Sequence, residues 1–230
     1  FLKFSQAIGE HFGLPVYIGN DASCAAFGEK TLNPTADVNN LLYLYADVGS
    51  GIVSEGDVYI GASGCAGEIQ VALNSVDEGE RARFKEYEYM MPRGVDLGIV
   101  AAARQAAERG AAPGILAAAG GVASAITKEM VIDAASRNDK AAVEIMADAG
   151  RHLGIKISYL VNFLNPEIVV IGGGMERSGD ALLDAARGAL KKFAFEEPAQ
   201  AVKIVPSLLG EDAIVLGAAA LSAREVFIHA

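Results

Sequence analysis

The chain has 230 residues, of which 52% are apolar and 21% charged, and 29 acidic against 19 basic residues give a formal net charge of −10. Domains that grip nucleic-acid backbones normally present Lys and Arg to the phosphates, so this balance argues against DNA or RNA binding by the chain itself. The apolar fraction is large enough for a sizeable core, which excludes disordered and fibrous classes.

Cysteine and histidine are scarce: Cys24, Cys65 and three histidines are present, none at metal-ligand spacing. This usage predicts no disulfide framework and a reducing, cytoplasmic location. The longest apolar stretches, such as 168–175, are far shorter than the ~20 residues that a membrane helix needs, so we expect no membrane partner. No signal peptide is recognisable, and Phe1 lies within an amphipathic helical pattern, so we expect the sequence to be part of a longer protein.

The N-terminal part predicts an alternation of helices and strands. Gly13 accepts the left-handed conformation that ends a helix, and Pro15 prevents its continuation. Short β-rich runs then follow at the spacing of an antiparallel meander. The predicted elements are a helix over 1–12, a strand over 15–19, a helix over 22–30 and strands over 40–46, 51–55 and 58–60.

Signals are weaker over residues 74–121 and strong again from Thr127 onward. Thr127 and Asp139 each precede a run with helical periodicity and are suitable N-cap residues, and Asn165-Pro166 ends the second run. Strands and helices then alternate, which predicts a mixed α/β layer with at least one βαβ unit. The predicted elements are helices over 78–88 and 99–108, a loop over 110–114, helices from Thr127 and from Asp139, a strand over 167–171, a glycine turn, a helix over 180–193, a strand over 202–205 and a helix over 212–226.

Two segments of the N-terminal part could carry chemistry. Asn20 and Asp21 follow a predicted strand and open a helix, where the helix N-terminus would stabilise a carboxylate facing a cleft; the alternative is a simple helix cap. The turn over 47–52 contains Gly49 and Gly51 and could offer backbone N–H groups to a phosphate. Its alternative is an ordinary hairpin connection.

Two later segments are also glycine-rich. In residues 61–70, small residues including Gly64 precede Glu68, which could accept hydrogen bonds from two sugar hydroxyls, unless the segment is only a surface loop. Three consecutive glycines follow a buried strand at the position where open α/β sheets bind nucleotides. They lack the G-x-G-x-x-G spacing, so a purely structural turn is an equal alternative. These glycines are Gly172, Gly173 and Gly174.

Taken together, these segments resemble the ROK family, named for repressors, open reading frames and kinases. The family's P-V-x-x-x-N-D-A segment, followed by small residues and G-E, is seen within 14–29, its glycine turn at 48–52 and its G-x-x-G-x-A-G-E segment at 61–68. Its N-P-E segment with three glycines is seen at 165–174, and its C-terminal end at 209–219. The resemblance spans nearly the whole chain and is thin only over about 74–121.

Departures from the family pattern favour its regulators over its kinases. Kinases of the family carry a D-x-G-x-T phosphate loop upstream of the N-D-A segment, and this chain has none, so it should not transfer phosphoryl groups as it stands. Tyr45 and Asp47 replace two glycines of the second glycine turn. A bulky side chain there blocks close approach of phosphate, and an acidic one repels it.

A further departure concerns zinc. In the family a His after the Glu of the third segment joins three cysteines on the metal. On a gap-free count Val71 occupies the His position and Gln70 precedes it, whereas a one-residue slip would place Gln70 there. The cysteines are missing, with 74–89 in their place. The resemblance therefore implies no structural zinc and no other metal ligand in this chain.

The resemblance implies an α/β, actin-like ATPase fold, related to ribonuclease H and found in sugar kinases, truncated in its N-terminal lobe. Residues 1–39 would be the remnant of that small lobe, and 40–230 the large C-terminal lobe. The implied function is the effector-binding and oligomerisation domain of a ROK-type transcriptional regulator, a homodimer or homotetramer without cofactor. DNA would be contacted only by a winged-helix domain outside this chain. The effector would be a sugar or sugar phosphate, held by Asn20, Asp21, Gly64, Glu68 and Gln70.

Two alternatives stay open. The chain could be a fragment of a ROK-family, glucokinase-like hexose kinase that uses ATP and Mg²⁺, with Asp21 as the catalytic base that accepts the sugar hydroxyl proton. The nucleotide would then contact Gly49, Gly51 and the three glycines of 172–174. The other alternative is a family member that binds no sugar and serves only in assembly.

Overall fold

The computed structural model describes residues 2–33, 37–45, 49–69 and 97–228. The strands are β1 (Leu41–Tyr45), β2 (Gly49–Ser54), β3 (Asp57–Val58), β4 (Ile168–Gly172) and β5 (Lys203–Pro206). The helices are α1 (Leu2–Phe12), α2 (Asp21–Leu32), α3 (Ile99–Glu108), α4 (Pro113–Ala118), α5 (Lys128–Ser136), α6 (Lys140–Leu164), α7 (Asp180–Phe193), α8 (Glu196–Ala201) and α9 (Ala213–Ile228). Within these residues, no helix has the length and apolar character required to cross a membrane.

The described strands form one mixed sheet in the order β3-β2-β1-β4-β5. β1 pairs antiparallel with β2 and parallel with β4, β2 pairs antiparallel with β3, and β4 pairs parallel with β5. Both faces of the sheet are covered, which explains why β1 and β4 are continuous apolar runs rather than alternating ones. Leu42 and Leu44 belong to the core under α3, α5, α6 and α7. Leu41 and Tyr43 belong to the core on the opposite face, with α2 and the start of α9.

Glycines set the close approach of the main helix pairs. On α6, a β-carbon at Gly154 would lie 2.7 Å from the Ala189 Cβ of α7, so only glycine permits this crossing. On α2, a β-carbon at Gly28 would lie 2.9 Å from the Gly217 Cα of α9. These contacts bring helix backbones together and place the small-residue faces of α6 and α2 in the interior.

The predicted ends of the long C-terminal helices are confirmed. The Thr127 side chain accepts a hydrogen bond from the Met130 backbone N–H at 3.4 Å, and that of Asp139 from the Ala142 N–H at 3.0 Å. Asn165 adopts the left-handed conformation, with φ of 47°, and ends α6 before Pro166. Both helices therefore begin, and α6 also ends, where local capping chemistry predicts.

Three sequence predictions need correction. Residues 15–19 are not a strand, because no described strand lies alongside them to pair with their backbone, and Leu14 and Ile18 are exposed. The third strand ends at Val58 rather than at residue 60, because the chain turns away there into the 61–67 segment. The predicted loop over 110–114 is confirmed only over 110–112, because Pro113 is a favourable first helical residue and begins α4 there.

The two cysteines remain thiols; Cys24 is buried and Cys65 exposed. The helix predicted over 78–88 and the segment expected to lack zinc ligands lie outside the described residues. The division of the chain at residue 39 stays a prediction.

Candidate functional site

One edge of the sheet brings the separate glycine segments together. The carboxyl ends of β1, β4 and β5 and the first residue of β2 meet there. Tyr45 pairs with Gly49 on one side and with Gly172 on the other. We call this edge the carboxyl edge. It is the edge at which α/β sheets of this kind place ligands, so the fold puts the predicted glycine segments at a position suited to binding.

The N-terminus of α2 lies at the carboxyl edge. The carbonyl of Ala22 packs directly on Gly51 of β2, where an added β-carbon would also lie 2.8 Å from the Ala26 Cβ. Asn20 caps α2, since its side-chain oxygen accepts a hydrogen bond from the Ser23 N–H at 3.1 Å. Asp21 is half-buried, and its carboxylate accepts a hydrogen bond from the Ala22 N–H at 2.7 Å. The capping interpretation of Asn20 is thus confirmed, while Asp21 has mainly local contacts.

The 61–69 segment is fixed against the start of β2. The backbone N–H and the hydroxyl of Ser50 both donate hydrogen bonds to the Gly67 carbonyl, at 3.2 and 2.7 Å. Gly67 has φ of 96°, which glycine adopts at no cost. Gly64 and Glu68 are exposed on this segment. β2 therefore contacts both the N-terminal end of α2, where Asp21 lies, and the turn that precedes Glu68. These two parts are far apart in sequence.

The glycines proposed for nucleotide binding also have structural roles. The Tyr43 side chain fills the space that a β-carbon on Gly172 would need, and Ala22 fills that of Gly51. Gly173 and Gly174 have φ of 72° and 86° and form the tight turn after β4. These contacts support the structural alternative for Gly51 and for the triple-glycine turn. Among the described residues, no atom lies within 4 Å of the corresponding position at Gly49.

An ion pair lies beside the triple-glycine turn. A guanidinium nitrogen of Arg177 lies 3.7 Å from the β-carbon position of Gly174, and another lies 3.6 Å from a Glu211 carboxylate oxygen. Both side chains are largely exposed. The turn at this edge therefore faces an acidic side chain as well as a basic one.

Sequence reasoning missed the buried carboxylate of Glu29 at the far end of α2. It accepts hydrogen bonds from the Ser207 hydroxyl, from the Leu209 N–H at 3.1 Å and from the Asn33 side-chain amide at 2.7 Å. The Ser207 oxygen in turn accepts from the Gly210 N–H at 2.9 Å. The network ties α2 to the connection between β5 and α9. The signals in the sequence were the G-E end of the family motif and an acidic residue directly after the small and apolar run over 22–28.

Tyr43 lies near this network. Burial raises the pKa of its phenol well above the ordinary range, and the nearby Glu29 and Glu176 carboxylates act in the same direction. The hydroxyl therefore stays neutral at physiological pH. β1 was predicted as an apolar strand, and nothing in its pattern indicated where this hydroxyl would lie.

The N-P-E segment has a structural role at the opposite edge of the sheet. The Glu167 carboxylate accepts hydrogen bonds from the backbone N–H groups of Asn39 and Asn40, both at 2.9 Å. The hydrogen bond from the Asn40 backbone, followed by that from Asn39, lowers the pKa of Glu167. This carboxylate fixes the entry into β1 and lies away from the carboxyl edge.

A groove of about 730 Å³ lies at the C-terminal end of α2, and none of the predicted site residues that the structure describes lines it. There the Arg224 guanidinium lies 5.0 Å from the centre of the Phe27 ring and pairs with Asp57 and Glu225. The charges that line the groove are mixed, and the contacts of Arg224 already satisfy it. We therefore place the candidate site at the carboxyl edge, where the motif residues converge. Gln70 and Asp47 lie outside the described residues.

Comparison with known proteins bears on the assignment. The chain is 30% identical over 237 residues to a putative xylose repressor from Caldicellulosiruptor sp., covering 96% of this chain and 55% of that protein. It is also 30% identical to a glucokinase from Halalkalibacterium halodurans, covering 90% of this chain and 63% of the relative. The chain thus spans between half and two thirds of the length of these relatives, which include a repressor and a kinase.

The fold has close structural counterparts. A ROK family glucokinase from Streptomyces griseus, in complex with glucose and AMPPNP, superposes with a TM-score of 0.77 at 23% identity, covering 96% of this chain and 72% of that one. This likeness confirms the predicted actin-like sugar-kinase fold. The model of the ROK family matches residues 2–77 and 104–225, which leaves unmatched much of the stretch where sequence signals were weak. The chain belongs to the ROK family.

Proposed function

We propose that the chain is the effector-binding and oligomerisation domain of a ROK-type transcriptional regulator, and that its effector is a sugar or sugar phosphate. Asn20, Asp21 and Glu68 hydrogen-bond the sugar hydroxyls, with Gly64 leaving room for the ring and Gln70 adding a further bond. The winged-helix DNA-binding domain belongs to a longer protein. The net charge of −10 fits a sensory domain that leaves DNA contact to another part.

The arrangement around α2 supports a polyol ligand. Asp21 is half-buried at a helix N-terminus, where the helix dipole interacts favourably with a negative charge. Charged carboxylate oxygens are acceptors for hydroxyl donors and form stronger hydrogen bonds than neutral groups do. Glu68 is exposed on a turn that two hydrogen bonds from Ser50 hold beside the same strand. A ligand at this edge therefore meets two carboxylates on a rigid support.

The position of Tyr45 is the observation that carries the choice of a regulator over a kinase. Tyr45 lies between Gly49 and Gly172, the strand ends at which a nucleotide would have to approach. Its ring lies alongside that of Tyr43, with centroids 6.5 Å apart and an interplanar angle of 25°. A bulky residue between the two glycine segments opposes close contact with phosphate.

Coupling to DNA follows if the effector prefers one arrangement of the lobes. Sugar binding shifts that equilibrium only by the difference between its affinities for the two states. α2 is suited to transmit the shift. Asp21 lies at one end, while the Glu29 network joins the other end to the connection that leads into α9.

Calorimetric titration of the chain with monosaccharides, amino sugars and their phosphates tests the proposal. We expect one of them to bind, and Asp21→Asn and Glu68→Gln each to weaken binding by roughly 10- to 100-fold, since each removes a charged hydrogen-bond acceptor. Glu108→Gln, an exposed carboxylate of α3, serves as the matched control and leaves affinity unchanged. Absence of binding to every sugar contradicts the proposal and favours the alternative in which the chain serves only in assembly.

The second candidate is an ATP-dependent hexose kinase of which this chain is a fragment. The likeness to a glucokinase and the half-buried Asp21 favour it, because a kinase of this type needs a carboxylate beside the reacting hydroxyl. The upstream sequence decides: a D-x-G-x-T loop favours the kinase, and a winged helix favours the regulator. Hexose phosphorylation by the longer protein, abolished by Asp21→Asn, would overturn our choice.

A further inference from the structure

The C-terminal half of α6 and the connection between α7 and α8 expose several aromatic side chains. Tyr159, Phe163 and Phe195 are 66%, 75% and 71% exposed, and Phe193 is 50% exposed. We call these four residues the aromatic patch. Scattered exposed apolar residues need no explanation, but large rings gathered at one end of a molecule mark an interaction surface.

The patch is built by regular structure and not by a loose tail. Tyr159 and Phe163 lie one helical turn apart on α6, and their rings stack with centroids 6.3 Å apart and an interplanar angle of 3°. The side-chain oxygen of Asn162 accepts a hydrogen bond from the Phe195 N–H at 2.9 Å, which fixes the α7–α8 connection on α6. The Tyr159 and Phe163 rings and the Phe195 backbone are therefore held in place before any partner arrives, which reduces the entropy that association must overcome.

The patch lies away from the candidate sugar site. α6 ends at Leu164, and the chain passes through Asn165 and Glu167 into the start of β4. The end of α6 is therefore at the amino edge of the sheet, whereas Asp21 and Glu68 are associated with the carboxyl edge. A partner on the patch leaves the sugar site accessible.

Charges of opposite sign flank the patch along the chain. Lys191 and Lys192 lie in the last turn of α7, and Glu196 and Glu197 in the first turn of α8, on either side of the connection that carries Phe193 and Phe195. All four charged side chains are exposed. Such a sequence of basic, aromatic and acidic groups is complementary to itself when reversed, which is what a two-fold contact between identical chains requires.

We propose that the aromatic patch is the surface on which a second copy of this chain docks, in an isologous contact across a two-fold axis. The aromatic side chains of both copies form the centre, and Lys192 of each lies opposite Glu197 of the other. This inference rests on the oligomerisation that we propose for the domain and specifies where it takes place. It does not depend on whether a sugar binds.

Sedimentation velocity over a range of concentrations tests the surface. We expect a species of twice the 23.9 kDa of one chain. Phe163→Ser and Phe195→Ser each raise the dissociation constant at least ~30-fold, the loss typical of a central aromatic contact. Phe4→Ser on α1, which is 65% exposed, is the matched control and leaves the dissociation constant unchanged. A monomeric wild type, or a dimer sensitive to Phe4→Ser but not to the patch variants, overturns the proposal.

Charge reversal separates a second copy from any other partner. Lys192→Glu and Glu197→Lys each set like charges against each other twice across the two-fold axis and weaken the dimer. The double variant restores both pairs and recovers most of the wild-type dissociation constant. Absence of recovery overturns the two-fold arrangement. Calorimetry with the effector on the same variants distinguishes the two ideas: loss of the dimer with sugar binding retained supports the patch, whereas lack of sugar binding by a normal dimer bears on the proposed function alone.

Discussion

The two ends of α2 use carboxylates in opposite ways. At the N-terminal end Asp21 is half-buried, and its carboxylate accepts a hydrogen bond from the neighbouring Ala22 N–H. At the C-terminal end Glu29 has no exposed surface and accepts hydrogen bonds from Ser207, Leu209 and Asn33. Both residues belong to one motif, yet one carboxylate retains capacity for a ligand while the other holds the fold together.

The difference shows that motif membership does not assign a role. A buried carboxylate is tolerated only when its oxygens are hydrogen-bonded, and Glu29 meets that condition entirely within the chain. A carboxylate at an accessible helix N-terminus needs no such network, because water and the helix dipole stabilise it. Stability and ligand binding should therefore separate cleanly between the two ends of α2.

Replacing Glu29 tests the structural end and should have the largest effect. Glu29→Ala removes the buried acceptor of the Ser207 hydroxyl and of the Leu209 N–H and takes one hydrogen bond from the Asn33 amide, and we expect a loss of about 4 kcal/mol of unfolding free energy. Urea denaturation of the chain measures it. Glu68→Ala, an exposed carboxylate, is the control and should change stability by less than about 0.5 kcal/mol. Equal losses of unfolding free energy in Glu29→Ala and Glu68→Ala would contradict the structural role of Glu29.

The packing of α2 on α9 gives the next largest effect. A methyl group at Gly217 would overlap the Cys24 carbonyl, and backbone on both sides prevents relief. Gly217→Ala should therefore cost about 3 kcal/mol in unfolding free energy. Gly188→Ala on α7 is the matched control, because no atom lies within 4 Å of its β-carbon position, and alanine there should stabilise the helix by about 0.5–1 kcal/mol. A mild effect at Gly217 would mean that α2 and α9 can separate.

Local chemistry explains which parts of the fold the sequence predicted. The start and end of α6 follow from a cap at Asp139 and a left-handed residue at Asn165, both properties of neighbouring residues. The strand predicted over 15–19 is wrong because a strand needs a partner, and pairing is decided by residues elsewhere in the chain. Pattern within a segment cannot supply that information.

The same distinction between local and long-range information applies to the candidate site. Asn20, Asp21 and Glu68 could be named from motif and position, and the structure associates them with the start of β2. The partners of Glu29 could not, because Ser207 and Leu209 come from the opposite end of the chain. Gly51 has a packing role that its motif did not indicate: its small size admits the Ala22 carbonyl, which belongs to a helix elsewhere in the chain.

The N-terminal end of α2 should show a smaller dependence of stability on its side chains. Asn20→Ala removes the oxygen that caps the Ser23 N–H and should cost about 1 kcal/mol of unfolding free energy. Asp139→Ala, which removes the matching cap of α6, should cost the same. Asp21→Asn keeps an oxygen at the helix start and should change the unfolding free energy by less than about 0.5 kcal/mol, whereas we expect it to weaken sugar binding. A large loss of stability in Asp21→Asn would assign that carboxylate to the fold.

Glu167 tests the effect of hydrogen bonding without burial. It is an exposed motif carboxylate that accepts strong hydrogen bonds from the backbone. The N–H groups of Asn40 and Asn39 lower its pKa below the ordinary 4.5 in the folded chain. A carboxyl group with a lowered folded pKa stabilises the fold above its unfolded pKa, and this contribution is lost as the pH falls through the folded value. The difference in unfolding free energy between wild type and Glu167→Gln should therefore be present at neutral pH. It should shrink as the pH falls below the ordinary pKa of glutamate. Because solvent screens the group, the effect should be the smallest of the four. A difference that grows on acidification would show that burial, not backbone donors, makes a motif carboxylate structural.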